Sequence, residues 1–218
     1  GSISKRPDLS AMLRMLEEKG DEIISGADSV VLQADIDRDV VKKVFTLARK
    51  YGKKVFSIVS NMSIVASRRE FLQEFDCFIC NQQEAGLLFL DDYSGLTPGE
   101  LQQILAEKVR LTGIPAMVVT MGGQGAVYAD CRGNQGFCPA RSVQVKDTTG
   151  AGDIFGGSAM WKLLQIGKAP EALEPEELYE IAAFGCAGAG LSTTRFGGLC
   201  SVCNLEQVTA ACVQIAKC

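Results

Sequence analysis

The stretch Asp147-Thr148-Thr149-Gly150-Ala151-Gly152-Asp153, running on into Ile154-Phe155-Gly156-Gly157, decides how this chain reads. It stands between a short apolar segment and an apolar helix that includes Phe155, Ala159, Leu163 and Ile166. Small residues at Gly150, Ala151 and Gly152 let a ligand come close to the backbone. They also open a helix, whose first N–H groups lack intrahelical partners and whose dipole attracts an anion. Asp153 then sets a carboxylate beside that anion hole.

These parts suit phosphoryl transfer. The amides of Gly150, Ala151 and Gly152 would stabilise charge on the phosphoryl group, and Asp153 would take the proton from an attacking alcohol. One amide donor in a comparable oxyanion site is worth about 2.7–4 kcal/mol. A positioned base contributes roughly 10²–10⁴ in rate. Positioning and electrostatics dominate this chemistry. The alternative reading is an ordinary Gly-rich strand-to-helix turn with Asp153 as a capping residue.

Outward from the stretch, helical and strand patterns alternate. Towards the N-terminus, apolar spacing predicts a helix over 9–24 and a buried strand over 29–33. Asp37 caps a helix whose apolar face is Val40, Val41, Val44, Leu47 and Ala48, and which Gly52 ends. A strand over 54–59, a helix over 64–75, a strand over 76–80 and a helix over 82–90 come next. Thr97 caps a further helix that ends near Gly113. A strand over 116–120 leads into a hairpin, 125–129 with 136–138, turning at Arg132-Gly133-Asn134. Residues 142–145 read as one more short strand. Helices over 151–167, 175–194 and 204–216 complete the chain. Short apolar strands separated by helices define an α/β fold with a mainly parallel sheet covered on both faces. Ligands of such sheets bind beyond the carboxyl ends of the strands, where the motifs lie. The 218 residues are read as a single domain, 1–218.

Composition narrows the chemistry. Net charge is −4, with 22 basic and 26 acidic residues, and no basic cluster carries interleaved aromatics, which argues against nucleic acid. No apolar run reaches membrane-spanning length, so no membrane is implied. There is no histidine, which excludes a Ser-His-Asp triad, a Cys-His pair and a His-ligated metal. Nine cysteines include two CxxC pairs, Cys77/Cys80 and Cys200/Cys203, from which a four-cysteine zinc site is conceivable. The first pair falls in a buried strand, where residues three apart point to opposite faces. Reduced core thiols in a cytoplasmic protein are the preferred reading.

The seven-residue string from Asp147 to Asp153 resembles the second signature of the ribokinase, or PfkB-type, family of carbohydrate and nucleoside kinases. The chain lacks GxxxxGK[ST] and the protein-kinase HRD and DFG motifs. Further features occur in the family's order. Asn81-Gln82-Gln83-Glu84 matches NxxE, which implies that Asn81 and Glu84 organise Mg²⁺ and the phosphates, Glu84 through water. The same residues also read as a helix cap with Glu84 at its third position. Thr120-Met121-Gly122-Gly123-Gln124-Gly125 is similar to the T-x-G-x-x-G segment that lines the nucleotide site, so Thr120, Gly122, Gly125 and Thr148 are assigned to ATP. Thr194-Arg195-Phe196-Gly197-Gly198 resembles the loop beside the adenine. Cys186 and Gly190 read equally as adenine-pocket residues or as helix packing. The resemblance also implies a monovalent cation, K⁺, held by Asp147, by carbonyls of Thr149, Ser192 and Gly197, and by the Ser201 hydroxyl.

The resemblance implies a ribokinase-like three-layer α/β/α architecture and an ATP-dependent kinase. Such an enzyme would transfer the γ-phosphate to a hydroxyl of a sugar or sugar-like molecule. Ribose, fructose-type sugars, 2-keto-3-deoxygluconate, adenosine and pseudouridine all stay open as acceptors. A non-catalytic nucleotide-binding fragment is the other-class alternative. Family members carry N-terminal strands, an acceptor-binding portion and a lid, and this sequence reads as starting after them. Many relatives pair through that lid, so a homodimer stays open. Ile58-Val59-Ser60-Asn61-Met62 falls where members often reach the acceptor.

Overall fold

Apolar spacing and capping residues produce the elements that they predict over most of the chain. The structure, a computed structural model, describes residues 9–33, 36–59 and 69–215. Six strands form one sheet in sequence order: β1 (Ser29–Leu32), β2 (Lys54–Ile58), β3 (Cys77–Asn81), β4 (Ala116–Thr120), β5 (Gly125–Asp130) and β6 (Gln135–Pro139). The first four are parallel. The last two return antiparallel as the hairpin.

Among the described residues seven α-helices flank the sheet: α1 (Ser10–Ser25), α2 (Arg38–Lys50), α3 (Gln82–Phe89), α4 (Pro98–Thr112), α5 (Ala151–Ile166), α6 (Pro175–Ser192) and α7 (Leu205–Ile215). Asp37 caps α2, its carboxylate accepting from the amides of Asp39 (2.9 Å) and Val40 (3.3 Å). Thr97 and Glu100 form a reciprocal capping box at the start of α4, and Gly113 ends that helix in the left-handed region at φ 69°.

Strand order fixes the layers. Neighbouring parallel strands joined by right-handed crossovers keep their connecting helices on one side of a sheet. Leu16 of α1, Val41 and Phe45 of α2, Leu88 of α3 and Leu101 of α4 share one core with Val55, Phe78, Cys80, Met117 and Val119. Among the described residues the chain changes sides only after β6. Phe155 and Leu163 of α5, Ile181 and Phe184 of α6, and Val208 of α7 then cover the other face over Phe56, Cys77, Ile79, Val118 and Tyr128. The result is a three-layer α/β/α sandwich. Along β3 the side chains alternate between the two cores, so Cys77 and Cys80 lie on opposite faces of the sheet and cannot share an ion.

Two sequence readings change. Residues 142–145 form no strand. Just beyond them, Lys146 and Asp147 both donate their amides to the Thr193 carbonyl at the end of α6, at 2.7 and 3.2 Å. The segment is thus anchored to a helix terminus rather than to a ladder. Within the helix read over 64–75, the described residues Arg69–Glu74 form a 3₁₀ rather than an α-helical segment, and residues 64–68 lie outside the described ones. Phe71 and Leu72, with Phe75 just beyond, are buried beside α2.

Candidate active site

The site forms where the carboxyl ends of β2, β3 and β4 meet the amino end of α5. Gly150 takes φ 77° and ψ 1°. That is the third-residue geometry of a type II turn, closed here by the Ala151 amide donating to the Thr148 carbonyl at 3.2 Å. A side chain at Gly150 would be strained in this conformation, and its Cβ would stand 3.4 Å from the Gly198 Cα of the neighbouring loop. The turn starts α5 with no side-chain cap. Asp153 therefore does not cap the helix; its carboxylate is exposed on the first turn.

Of the three amides expected to face an anion, that of Ala151 is already engaged by Thr148. The amides of Gly150, Gly152 and Asp153 make no hydrogen bond among the described residues. They are the open donors of this helix end.

Two lobes of one cleft meet over the turn. The first, about 270 Å³, is lined by Asn81, Glu84, Thr120, Thr148, Gly150, Ala151, Gly152 and Asp153, with Ile58, Val59, Ile79 and Cys80 beneath. The second, about 410 Å³, holds Gly122, Gly125, Cys186 and Gly190. Thr120, Thr148, Ala151 and Gly152 line both. The cleft thus gathers the catalytic and nucleotide candidates read from the sequence. Ser60, Asn61 and Met62 lie outside the described residues.

Asn81 and Glu84 form the helix cap that was one of their two readings. Asn81 caps α3 by accepting the Glu84 amide at 2.8 Å, and Glu84 accepts the Asn81 amide at 2.8 Å. The box fixes Glu84 on the rim of the first lobe. A single carboxylate on this rim suits Mg²⁺, which takes oxygen ligands and keeps several waters. Cys186 likewise serves two ends, since it lines the second lobe and belongs to the core beneath it.

The residues assigned to a monovalent cation sit behind the turn. The Asp147 carboxylate accepts the Thr149 amide at 2.9 Å and the Gly197 amide at 2.8 Å. These two bonds hold its pKa below the ordinary aspartate value of 3.8. The Ser201 hydroxyl donates to the Gly198 carbonyl at 2.8 Å, and the Ser192 carbonyl accepts the Arg195 amide at 3.1 Å. Asp147, Thr149, Gly197 and Ser201 are thereby brought around one glycine turn, with Ser192 at the end of α6 leading into it. Their oxygens suit a hard cation.

One wall of the second lobe belongs to no motif in the sequence. Ala140, Arg141, Ser142, Val143 and Val145 line it, facing Ala189 and Thr193 of the α6 end. Its only sequence signal is the alternation that places Val143 and Val145 on one side. Gly190 lets this wall approach α6, since a Cβ there would come within 3.2 Å of the Arg141 Cβ.

An α/β/α sandwich of this kind takes its ligand beyond the carboxyl ends of the parallel strands, where the open helix-end amides and the two-lobed cleft lie. Sequence features of the pfkB family of carbohydrate kinases match residues 7–202, and the chain belongs to that family. It is 33% identical over 174 residues to a guanosine-inosine kinase of Exiguobacterium acetylicum, covering 79% of this chain and 56% of that protein. With a ribokinase of Staphylococcus aureus it shares 27% identity over 189 residues, covering 86% and 57%. In fold it is similar to a ribokinase of Arabidopsis thaliana solved with ribose and ATP. The TM-score is 0.73 at 24% identity, covering 89% of this chain and 59% of that one. The chain thus spans less than two thirds of these relatives. Among the described residues no helix is long and apolar enough to cross a membrane.

Proposed function

We propose that the protein is an ATP-dependent kinase acting on a hydroxyl of a sugar or sugar-like small molecule, with 1–218 as its nucleotide-binding and catalytic domain. The observation that carries this reading is the helix end between the lobes. Gly150, Gly152 and Asp153 all line the first lobe there, and their amides make no hydrogen bond among the described residues. ATP would lie with its base in the second lobe, between Gly122, Gly125, Cys186 and Gly190, and its phosphates crossing Thr120 and Thr148. Asp153 takes the proton of the acceptor hydroxyl as the new oxygen–phosphorus bond forms. The bond from the γ-phosphorus to the bridging oxygen breaks, and ADP departs. Mg²⁺ beside Glu84 and Asn81 would neutralise phosphate charge, and K⁺ among the Asp147 group would brace the turn. The described cysteines are free thiols, in keeping with a reducing cytoplasm.

A nucleoside acceptor is the second reading, favoured by the 33% identity to the guanosine-inosine kinase. A non-catalytic nucleotide-binding role is opposed by the presence of both Asp153 and Glu84 at the first lobe.

The test is Asp153→Asn, assayed for ADP release with a panel of sugars and nucleosides. Turnover should fall roughly 10²–10⁴-fold while ATP binding is kept. Unchanged turnover would remove Asp153 from the reaction.

A further inference from the structure

The cleft carries its charges unevenly. Among the described residues that line its two lobes, the carboxylates of Glu84 and Asp153 lie in the first, and the single basic side chain, Arg141, lies in the second. Arg141 is half-buried, just beyond β6, and stands over the last turn of α6. From the point where a Gly190 Cβ would stand, the Arg141 Cβ, Cδ and Cγ are 3.2, 3.9 and 4.0 Å away, so its aliphatic stem lies along the bare backbone of that turn. The negative end of the helix dipole favours a cation there.

The surface around Arg141 is apolar. Val143 and Val145 belong to the same wall, and Val145 lines the lobe while 57% exposed. Phe155, Cys186 and Ala189 add to it. Open apolar surface beside one planar cation suits a flat aromatic ring. The apolar side chains take up the body of the ring, and a guanidinium stacks on its face. Packing of the stem on α6 pre-sets the guanidinium, so less of its freedom is lost when a ring arrives.

Resting on the proposed function, in which ATP places its base in this lobe, we propose that Arg141 is a specificity-determining residue for the nucleotide. Its guanidinium stacks on the base and makes the lobe prefer purine over pyrimidine nucleoside triphosphates. A purine offers two fused rings to that plane and a pyrimidine one, so the contact is stronger with ATP than with UTP.

The experiment measures ATP and UTP binding to the whole chain, by competition against a fluorescent ATP analogue, for the wild type, Arg141→Ala and Arg141→Met. The wild type should bind ATP more tightly than UTP. Arg141→Ala should weaken ATP binding roughly 3–30-fold and UTP binding by less, so that the preference shrinks. Arg141→Met keeps an apolar stem over Gly190 and should show the same shrinkage, which decides the matter if the alanine variant fails to fold. Loss of ATP and UTP affinity by one common factor would assign Arg141 to the phosphates or to the support of α6, and overturns the inference. Unchanged affinities, or a wild type without purine preference, overturn it equally. In these cases nucleotide is still bound, and the kinase reading stands. A wild type that binds no nucleotide overturns the proposed function and this inference together.

Discussion

Asp147 uses both carboxylate oxygens on backbone amides from two different loops, Thr149 on its own and Gly197 across the gap. These bonds need the ionised form, and they lower the pKa in the folded state. The stabilisation is therefore present above the unfolded value of 3.8 and is lost as pH falls through the lower folded value. Amide exchange at Gly197, corrected for its intrinsic pH dependence, should lose protection in acid below 3.8 and stay flat from there to neutrality. Asp147→Asn should lose the same protection at neutral pH. The candidate Asp153 was picked out in the sequence by the Gly-rich run before it, and the candidate Asp147 by the family resemblance of the same stretch. Arg141 and Val143 were not, because they join the site only through the approach of β6 and α6, which no neighbouring residue announces.

Helix α3 shows how an element can serve the site at one end and carry strain at the other. Its first turn holds Glu84 at the cleft rim through the Asn81 capping box. Its last residue gives way to Leu90, at φ 57° and ψ 46°, a left-handed position occupied by an exposed, non-glycine side chain. The left-handed conformation costs a non-glycine residue roughly 1–2 kcal/mol. Glycine avoids that cost but loses roughly 0.5–1 kcal/mol more in conformational entropy on folding. Leu90→Gly should therefore stabilise the protein by about 0.5–1 kcal/mol, read as a higher urea midpoint with unchanged slope. The caps at Asp37, Asn81 and Thr97 were readable because a polar residue before an apolar-periodic run has a local partner within three residues. The strand expected over 142–145 fails for the opposite reason. Alternation describes one segment, whereas a strand needs a ladder partner, and the chain here hangs from Thr193 instead.

At the scale of the molecule, two separate apolar cores lie on the two faces of one sheet. The N-terminal helices close the first, and α5, α6 and α7 close the second. A chain stopped after Gly150 should keep its strands and first helical layer but expose Phe56, Ile79, Val118 and Tyr128. It should partition into the insoluble fraction, and a soluble monomer with native circular dichroism would show that the first core is enough. The layering was foreseeable from alternating strands and helices. The sheet's strictly sequential order, which sends α1 to α4 to one side, was not, because it depends on which strands pair.

That order also sets a timetable. As the ribosome releases this polypeptide from its amino end, β1 to β6 can assemble against their first layer while the second face still awaits its cover. The turn at Gly150 emerges as the chain crosses the sheet. The last helices therefore act as an intramolecular chaperone, shielding a sticky nascent surface before a neighbouring chain can reach it.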